Sequence, residues 1–336
     1  MLLEALEAAD CVAEQVATDG EVYSALGQRL RDAAPSRALT VARGSSDHAA
    51  SYLAYLVMAR LGCIVASLPM SLVTLYHSRL MARDTLTLAI SQSGQSPDVV
   101  EPVRYFRAGG ATTVAMVNDV ASPLANAAEW TLPLRAGAEH SVAATKSFVA
   151  SLVAGASLVA HWQDDPALYA ALEQLPQDLH AAARTDWSAA LEVLVGARQA
   201  MVVGRGIGFP LAMEAALKLK ETSAMQAEAF SGAEIKHGPM ALIEAGYPLL
   251  VLATRGPALQ GLVELAAEMR QRGARVLLAA PAEVRERDLT LPTAGVPDLD
   301  PIAAAVAFYR LAAELAQARG LDPDRPRHLS KVTRTH

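Results

Sequence analysis

Short apolar runs of strand length alternate along this chain with longer runs whose apolar positions recur at helical spacing. The first half reads "ALTVARGSSDHAASYLAYLVMARLG", then "DTLTLAISQSGQSPDVVEPVRYFRAGG", then "ATTVAMVN". The second half reads "QAMVVGRGIGFPLAMEAALKLKETS", then "YPLLVLATRGPALQGLVELAAEMRQRG", then "ARVLLAA". Each set runs strand, glycine turn, helix, strand, glycine turn, helix, strand. That order predicts an α/β fold in which a mostly parallel sheet is flanked by helices on both faces. Strand Thr85–Ile90 is followed by Ser96 in an N-cap position, Pro97 at the first helical position, and a stop at Gly109 and Gly110.

The two halves share one register. Gly44 and Gly206 stand 162 residues apart, and so do Gly94 and Gly256. This spacing implies two similar α/β domains, with a boundary in "WQDDPALYAALEQLPQD", where Asp and Pro accumulate. The expected layout is an N-terminal helical segment at 1–25, one domain at 26–165, a second at 180–325, and a tail at 326–336.

Composition supports a well-buried chain: of 336 residues 52% are apolar and 19% charged. With 29 basic and 35 acidic side chains the formal charge is −6, which argues against a nucleic-acid partner. Cys11 and Cys63 show neither metal-ligand spacing nor a disulfide framework, which fits a cytoplasmic location. The opening "MLLEALEAADCVAEQVA" carries Glu4, Glu7 and Asp10 and reads as an amphipathic helix, not a leader. Even "SFVASLVAGASLVAHW" is too short and Ser-studded to span a membrane, so no membrane partner is expected.

Chemistry gathers at the turns. "ISQSGQS" (90–96) ends a strand and opens a helix, so it presents backbone N–H groups and the positive end of a helix dipole beside small hydroxyls. Alone it is an ordinary capped turn. "VARGSSDHA" (41–49) repeats the design with Ser45 and Ser46, and two such turns at strand ends of one domain can converge on one anion. A phosphomonoester fits, because neither turn ends in the Gly-Lys-Ser/Thr of a nucleoside triphosphate loop. The counterpart "LATRGPA" in the second half has lost most of its hydroxyls and is expected to bind no anion. "GRGIGF" fails the dinucleotide fingerprint, because Phe209 stands where the third glycine belongs.

The helix "AMEAALKLKETSAMQAEAF" carries Lys218, Lys220 and Glu221, charges that ordinarily form a solvated face. After it, "FSGAEIKHGPMALI" places Glu234, Lys236 and His237 before a Gly-Pro turn; histidine suits proton transfer, though a lone one is more often structural. Lys331 in "RPRHLSKVTRTH" could serve as an amine nucleophile if the tail is ordered.

Taken together, "ISQSG", "VAATK", "ALKLKE", "KHGPMALI" and "RPRHLSKVT" make the chain resemble the sugar-isomerase (SIS) domain family from about Leu39 to Thr335. The likeness is to the isomerase half of glutamine:fructose-6-phosphate amidotransferase, and more closely to stand-alone members assigned as glucosamine-6-phosphate deaminases. The resemblance implies two tandem SIS domains. It assigns the sugar phosphate to Ser46, Ser91, Gln92, Ser93 and Ser96, with Val142 and Ser330 lining the pocket. A serine common in the family loop is Ala144 here, and Ser330 replaces the alanine of the amidotransferase. Glu221 would move a proton between C1 and C2 with Lys218 nearby, His237 would open the sugar ring from the neighbouring subunit of a homodimer, and Lys331 would form a Schiff base. No metal or redox cofactor is implied.

The amidotransferase has a glutamine-hydrolysing domain with a cysteine after the initiator Met; residue 2 here is Leu, and the first repeat starts near residue 39. The expectation is therefore deamination of an amino-sugar phosphate to a ketose phosphate and ammonium. A phosphosugar aldose-ketose isomerase or a deglycase is the rival, and a sugar-phosphate-sensing module a more distant one.

Overall fold

The computed structural model describes residues 1–331. In chain order its first elements are α1 (Leu2–Leu6), α2 (Ala8–Thr18), α3 (Gly20–Ala33), β1 (Arg37–Val41), α4 (Ser45–Leu61), β2 (Ile64–Ser67), α5 (Ser71–Thr74), β3 (Leu86–Ser91), α6 (Pro97–Ala108), β4 (Thr112–Val117), α7 (Pro123–Ala127), β5 (Trp130–Pro133) and α8 (Lys146–Gln163). There follow α9 (Pro166–Ala182), α10 (Leu191–Leu194), β6 (Gln199–Gly204), α11 (Phe209–Ser223), β7 (Gln226–Ser231), β8 (Pro248–Leu252), α12 (Leu259–Gln271), β9 (Arg275–Ala280), β10 (Leu289–Thr290) and α13 (Asp300–Ala318).

Two five-stranded sheets result, in the orders β2-β1-β3-β4-β5 and β10-β9-β8-β6-β7, and their pairings are parallel. Read from its own first strand, each sheet has the order 2-1-3-4-5. The starts of β1 and β6, β2 and β7, β3 and β8, and α6 and α12 are each 162 residues apart, matching the spacing of the glycine turns.

The chain divides into two compact units. The β1–β5 unit comprises 10–139, 146–173 and, at the end of the chain, Ser330 and Lys331. The β6–β10 unit comprises 1–9, 140–145 and 174–329. In the first unit, β1, β3 and β4 pack with Val99, Val100, Val103 and Phe106 of α6 into one core. In the second, β6, β8 and β9 pack with Leu262, Leu265 and Met269 of α12. Central strands such as β3 are buried almost throughout, so they read as continuous apolar runs.

The edge strands were not among the three strands expected per half. β2 is mostly exposed and only four residues long, so its short Ile64-Val65-Ala66 run passes for the end of the preceding helix. The helix expected to run through Phe230 instead ends at Ser223. Ala224 adopts a left-handed conformation (φ 47°) that stops the helix, and the alternating segment Gln226–Ser231 pairs as β7 along the open side of β6. The single amphipathic helix expected at the N-terminus is two, α1 and α2; α1 belongs to the β6–β10 unit, and α2 from Asp10 onward belongs to the β1–β5 unit. The run "SFVASLVAGASLVAHW" lies in α8, where only His161 and Gln163 escape burial; a core helix must be apolar all round. Among the described residues no helix is long and apolar enough to cross a membrane.

Candidate active site

In a sheet of order 2-1-3-4-5 the connections leave β1 and β3 in opposite directions, and the crevice between their carboxyl ends is where such folds receive ligands. Both hydroxyl-rich turns sit there. β1 and β3 are hydrogen-bonded neighbours, with Val41 opposite Ala89. α4 starts at Ser45 with Ser46 in its first turn, and α6 starts at Pro97 with Ser96 as its N-cap, as the sequence suggested. The positive ends of two helices of more than ten residues therefore open beside Ser46, Ser91, Gln92, Ser93 and Ser96, all of them partly accessible.

The second turn is rigid. Ser91 Oγ accepts from the Gly94 N–H (3.0 Å) and Ser93 Oγ from the Gln95 N–H (3.3 Å). The Gln92 and Gly94 carbonyls accept from Asn118 N–H (3.2 Å) and Leu124 N–H (3.1 Å). Gly94 is buried at φ 63°, and a Cβ there would collide with Ser122 and come within 2.9 Å of Val117 Cγ2. Backbone strain and clash act together, so Gly94→Ala should lose about 1–3 kcal/mol of stability. On the expectation that this turn receives a phosphate ester, KM for that ester should rise roughly tenfold with a smaller change in kcat, because such contacts bind substrate and transition state alike. Arg43, just before Gly44, pairs with the buried Asp98 of α6 (2.9 Å) and ties the two turns together; pattern reading did not single out this residue.

The crevice of the other sheet is already occupied by the protein itself. Asp300, fully buried at the start of α13, accepts from the backbone N–H groups of Arg255 (3.3 Å) and Ala294 (2.9 Å). The Arg255 guanidinium grips the same carboxylate at 2.6 and 2.8 Å. Arg255 lies in "LATRGPA", so an internal carboxylate meets the amide that a bound anion would otherwise use. In "GRGIGF", Gly208 packs so closely on Thr254 that a Cβ would lie 2.8 Å from its hydroxyl, which gives that glycine a packing role.

Glu221 and Lys218 are not a solvated face. Lys218 is wholly buried, its Nζ 3.2 Å from Glu214 Oε1 and 2.5 Å from Glu221 Oε2. Tyr309 of α13 donates to Glu214 Oε1 at 3.0 Å. Burial alone would lower the Lys218 pKa, but the two carboxylates outweigh it and hold it above the ordinary lysine value. Lys218 is thus a fixed cation that aims Glu221, which keeps an exposed edge. Glu214 was missed in the sequence because nothing in "AMEAALKLKE" distinguishes it from any polar helix position.

The loop carrying Val142 and Ala144 belongs to the same unit as Glu221. The Val142 N–H donates to the Asp324 carbonyl (3.2 Å) and the Ser141 hydroxyl to the Asp324 carboxylate (2.6 Å). Glu4 of α1 accepts from the N–H groups of His140 and Ser141. Burial pushes the Glu4 carboxyl up, but these hydrogen bonds more than reverse it and leave the pKa below the ordinary value. A depressed folded pKa adds stability that is present above the unfolded value and lost as pH falls through the folded one. The wild type should therefore exceed Glu4→Ala in melting temperature at pH 6–8, and the gap should close below about pH 4.5. His237 is exposed in a 3₁₀ turn, Glu234–His237, before Gly238 at φ 143°.

Lys331 belongs to the β1–β5 unit together with the hydroxyl-rich turns. Its Nζ lies 2.8 Å from Oε2 of the buried Glu139, and Ser330 precedes it as an exposed residue. The remainder of the expected tail, 332–336, lies outside the described residues.

Comparison with known proteins gives a consistent outcome. The SIS domain model matches residues 30–161 and 193–280. A glutamine–fructose-6-phosphate aminotransferase (isomerizing) of Aeropyrum pernix is 38% identical over 89% of this chain, which covers 51% of that protein. The chain thus spans about half the length of the curated relatives it matches. A solved structure from Silicibacter pomeroyi DSS-3, provisionally named a phosphosugar isomerase, is 40% identical with a TM-score of 0.92, covering 96% of this chain and 99% of that one. A glucosamine-6-phosphate deaminase structure from Thermotoga maritima shares the fold at TM-score 0.74 and 21% identity, covering 98% of this chain and all of that one.

Proposed function

Because the chain belongs to the SIS domain family, whose model matches residues 30–161 and 193–280, we propose that it is an enzyme acting on a hexosamine 6-phosphate, releasing the ketose phosphate and ammonia. The observation that carries this reading is Glu221, a carboxylate aimed by the buried Lys218, in a chain whose other unit offers a two-helix anion cradle and the amine of Lys331.

Ser46, Ser91, Gln92, Ser93 and Ser96 hold the phosphate ester, which supplies binding energy remote from the reacting carbons. His237, contributed by the partner of a homodimer, opens the ring. Glu221 takes the proton from C2 and returns one to C1, turning the amino aldehyde into a C2 iminium beside a C1 alcohol. The neutral amine of Lys331 then adds at C2 and ammonia leaves, forming a Schiff base to the enzyme. Water adds to that Schiff base, the lysine departs, and the ketose phosphate is released. Glucosamine 6-phosphate and water thus give fructose 6-phosphate and ammonia, with no change of oxidation state overall. Val142 and Ser330 border the sugar, and the enzyme works in the cytoplasm.

A panel of hexosamine and hexose 6-phosphates, assayed for both ammonium and ketose, tests the reading. Ammonium release that falls by about 10²-fold or more in Lys331→Ala is expected. Ketose formation from a hexose phosphate, with no ammonium from any hexosamine phosphate, would instead identify an aldose-ketose isomerase. The 40% identity to the Silicibacter pomeroyi protein is what keeps that second outcome in view.

A further inference from the structure

Glu139 is a buried carboxylate that neither the sequence motifs nor the reaction above makes use of. It is fixed from one side by the first turn of α8. Its Oε1 accepts from the backbone N–H of Ser147 (3.2 Å) and its Oε2 from the Ser147 hydroxyl (2.7 Å). α8 is an eighteen-residue core helix, so the support is rigid and its positive end favours a negative charge at that point. On the other side the same Oε2 meets Lys331 Nζ at 2.8 Å, across 192 residues of sequence.

We propose that Glu139 is the positioning residue for Lys331, a docking carboxylate that brings the C-terminal segment to the β1–β5 unit and sets where its amine stands. The inference rests on the reading of Lys331 as the amine that meets C2. Lysine has a long side chain with several free torsions, and a tail residue adds backbone freedom. A charge-assisted hydrogen bond to a group that is itself held by a helix removes most of that freedom before substrate arrives. The docking oxygen also lies next to Nζ, so when the ammonium gives up a proton to become the attacking amine, Glu139 accepts it. The proton returns to the lysine when water frees the ketose. Glu139→Gln keeps the size and an acceptor for Ser147 while removing the charge toward Lys331; Ser147→Ala weakens the support without touching the lysine.

Two measurements on the full chain test this. In the first, trypsin cleavage after Lys331 is followed by mass. It should be at least about fivefold faster in Glu139→Gln than in the wild type, and Glu139→Asp, with the charge kept on a shorter arm, should fall between them. Equal rates in all three overturn the docking role whatever the reaction proves to be. In the second, borohydride traps the adduct with fructose 6-phosphate. The wild type should be labelled on Lys331, with Glu139→Gln trapped about tenfold more slowly at an unchanged KM for the sugar phosphate. No label on the wild-type lysine overturns the amine role itself, while equal labelling of wild type and Glu139→Gln overturns only the positioning. Ser147→Ala slowing as much as Glu139→Gln would show that the effect comes from α8 and overturns the proposal too.

Discussion

Glu221→Gln is expected to lower kcat by about 10³-fold while KM for the hexosamine phosphate changes less than about threefold. The amide has the same shape and keeps an oxygen 2.5 Å from the Lys218 ammonium, so the helix and the cradle should persist. In the proposed reaction, what disappears is the group that takes a proton from carbon. A change in kcat alone places Glu221 in the chemical step, and solvent deuterium should no longer enter the product at C1. A variant with near-normal kcat would remove Glu221 from the mechanism, and a variant with normal kcat but raised KM would make it a binding group.

The second large effect is on stability. Lys218→Met should cost about 3–5 kcal/mol, the usual penalty for removing one partner from a buried ionic cluster. Glu214, wholly buried, would lose its cation and keep only the Tyr309 hydroxyl of the partners described above, while Glu221 would lose what aims it. In a unit of this size that corresponds to a fall in melting temperature on the order of 10 °C. Glu214→Gln in the Lys218→Met background should recover part of the loss, because the uncompensated buried charge goes with it. Catalysis should not recover in the double variant, since Glu221 still lacks its cation. A neutral Lys218→Met in both stability and rate would mean that the cluster is incidental.

These two residues show how far a local pattern carries. On the sequence, Lys218 and Glu221 look like the polar face of an alanine-rich helix, and only the family resemblance lifts Glu221 out of it. The structure shows why the charges are no surface: α13 covers this side of α11, so Glu214 and Lys218 are buried and compensate each other. The pair of hydroxyl-rich turns was more legible. Its determinants lie within two short segments, each a strand end, a glycine and a capped helix, and such local instructions act before any tertiary contact forms. The edge strands were less legible, because β2 and β7 are defined by the neighbour they pair with more than by their own composition.

By itself the sequence determined two α/β halves in a common register, the strand-to-helix turns with their hydroxyls, and the loss of those hydroxyls in the second half. Each of these rests on residues near one another in the chain, where periodicity, capping and turn geometry apply. Only the tertiary structure decided that Glu139 meets Lys331, that Asp300 occupies the second crevice through Arg255, and that Glu4 holds the loop of Val142. A lone carboxylate carries no local mark of its partner, and these partners lie 192, 45 and up to 137 residues away, so the pairing exists only once the packed core has brought them together.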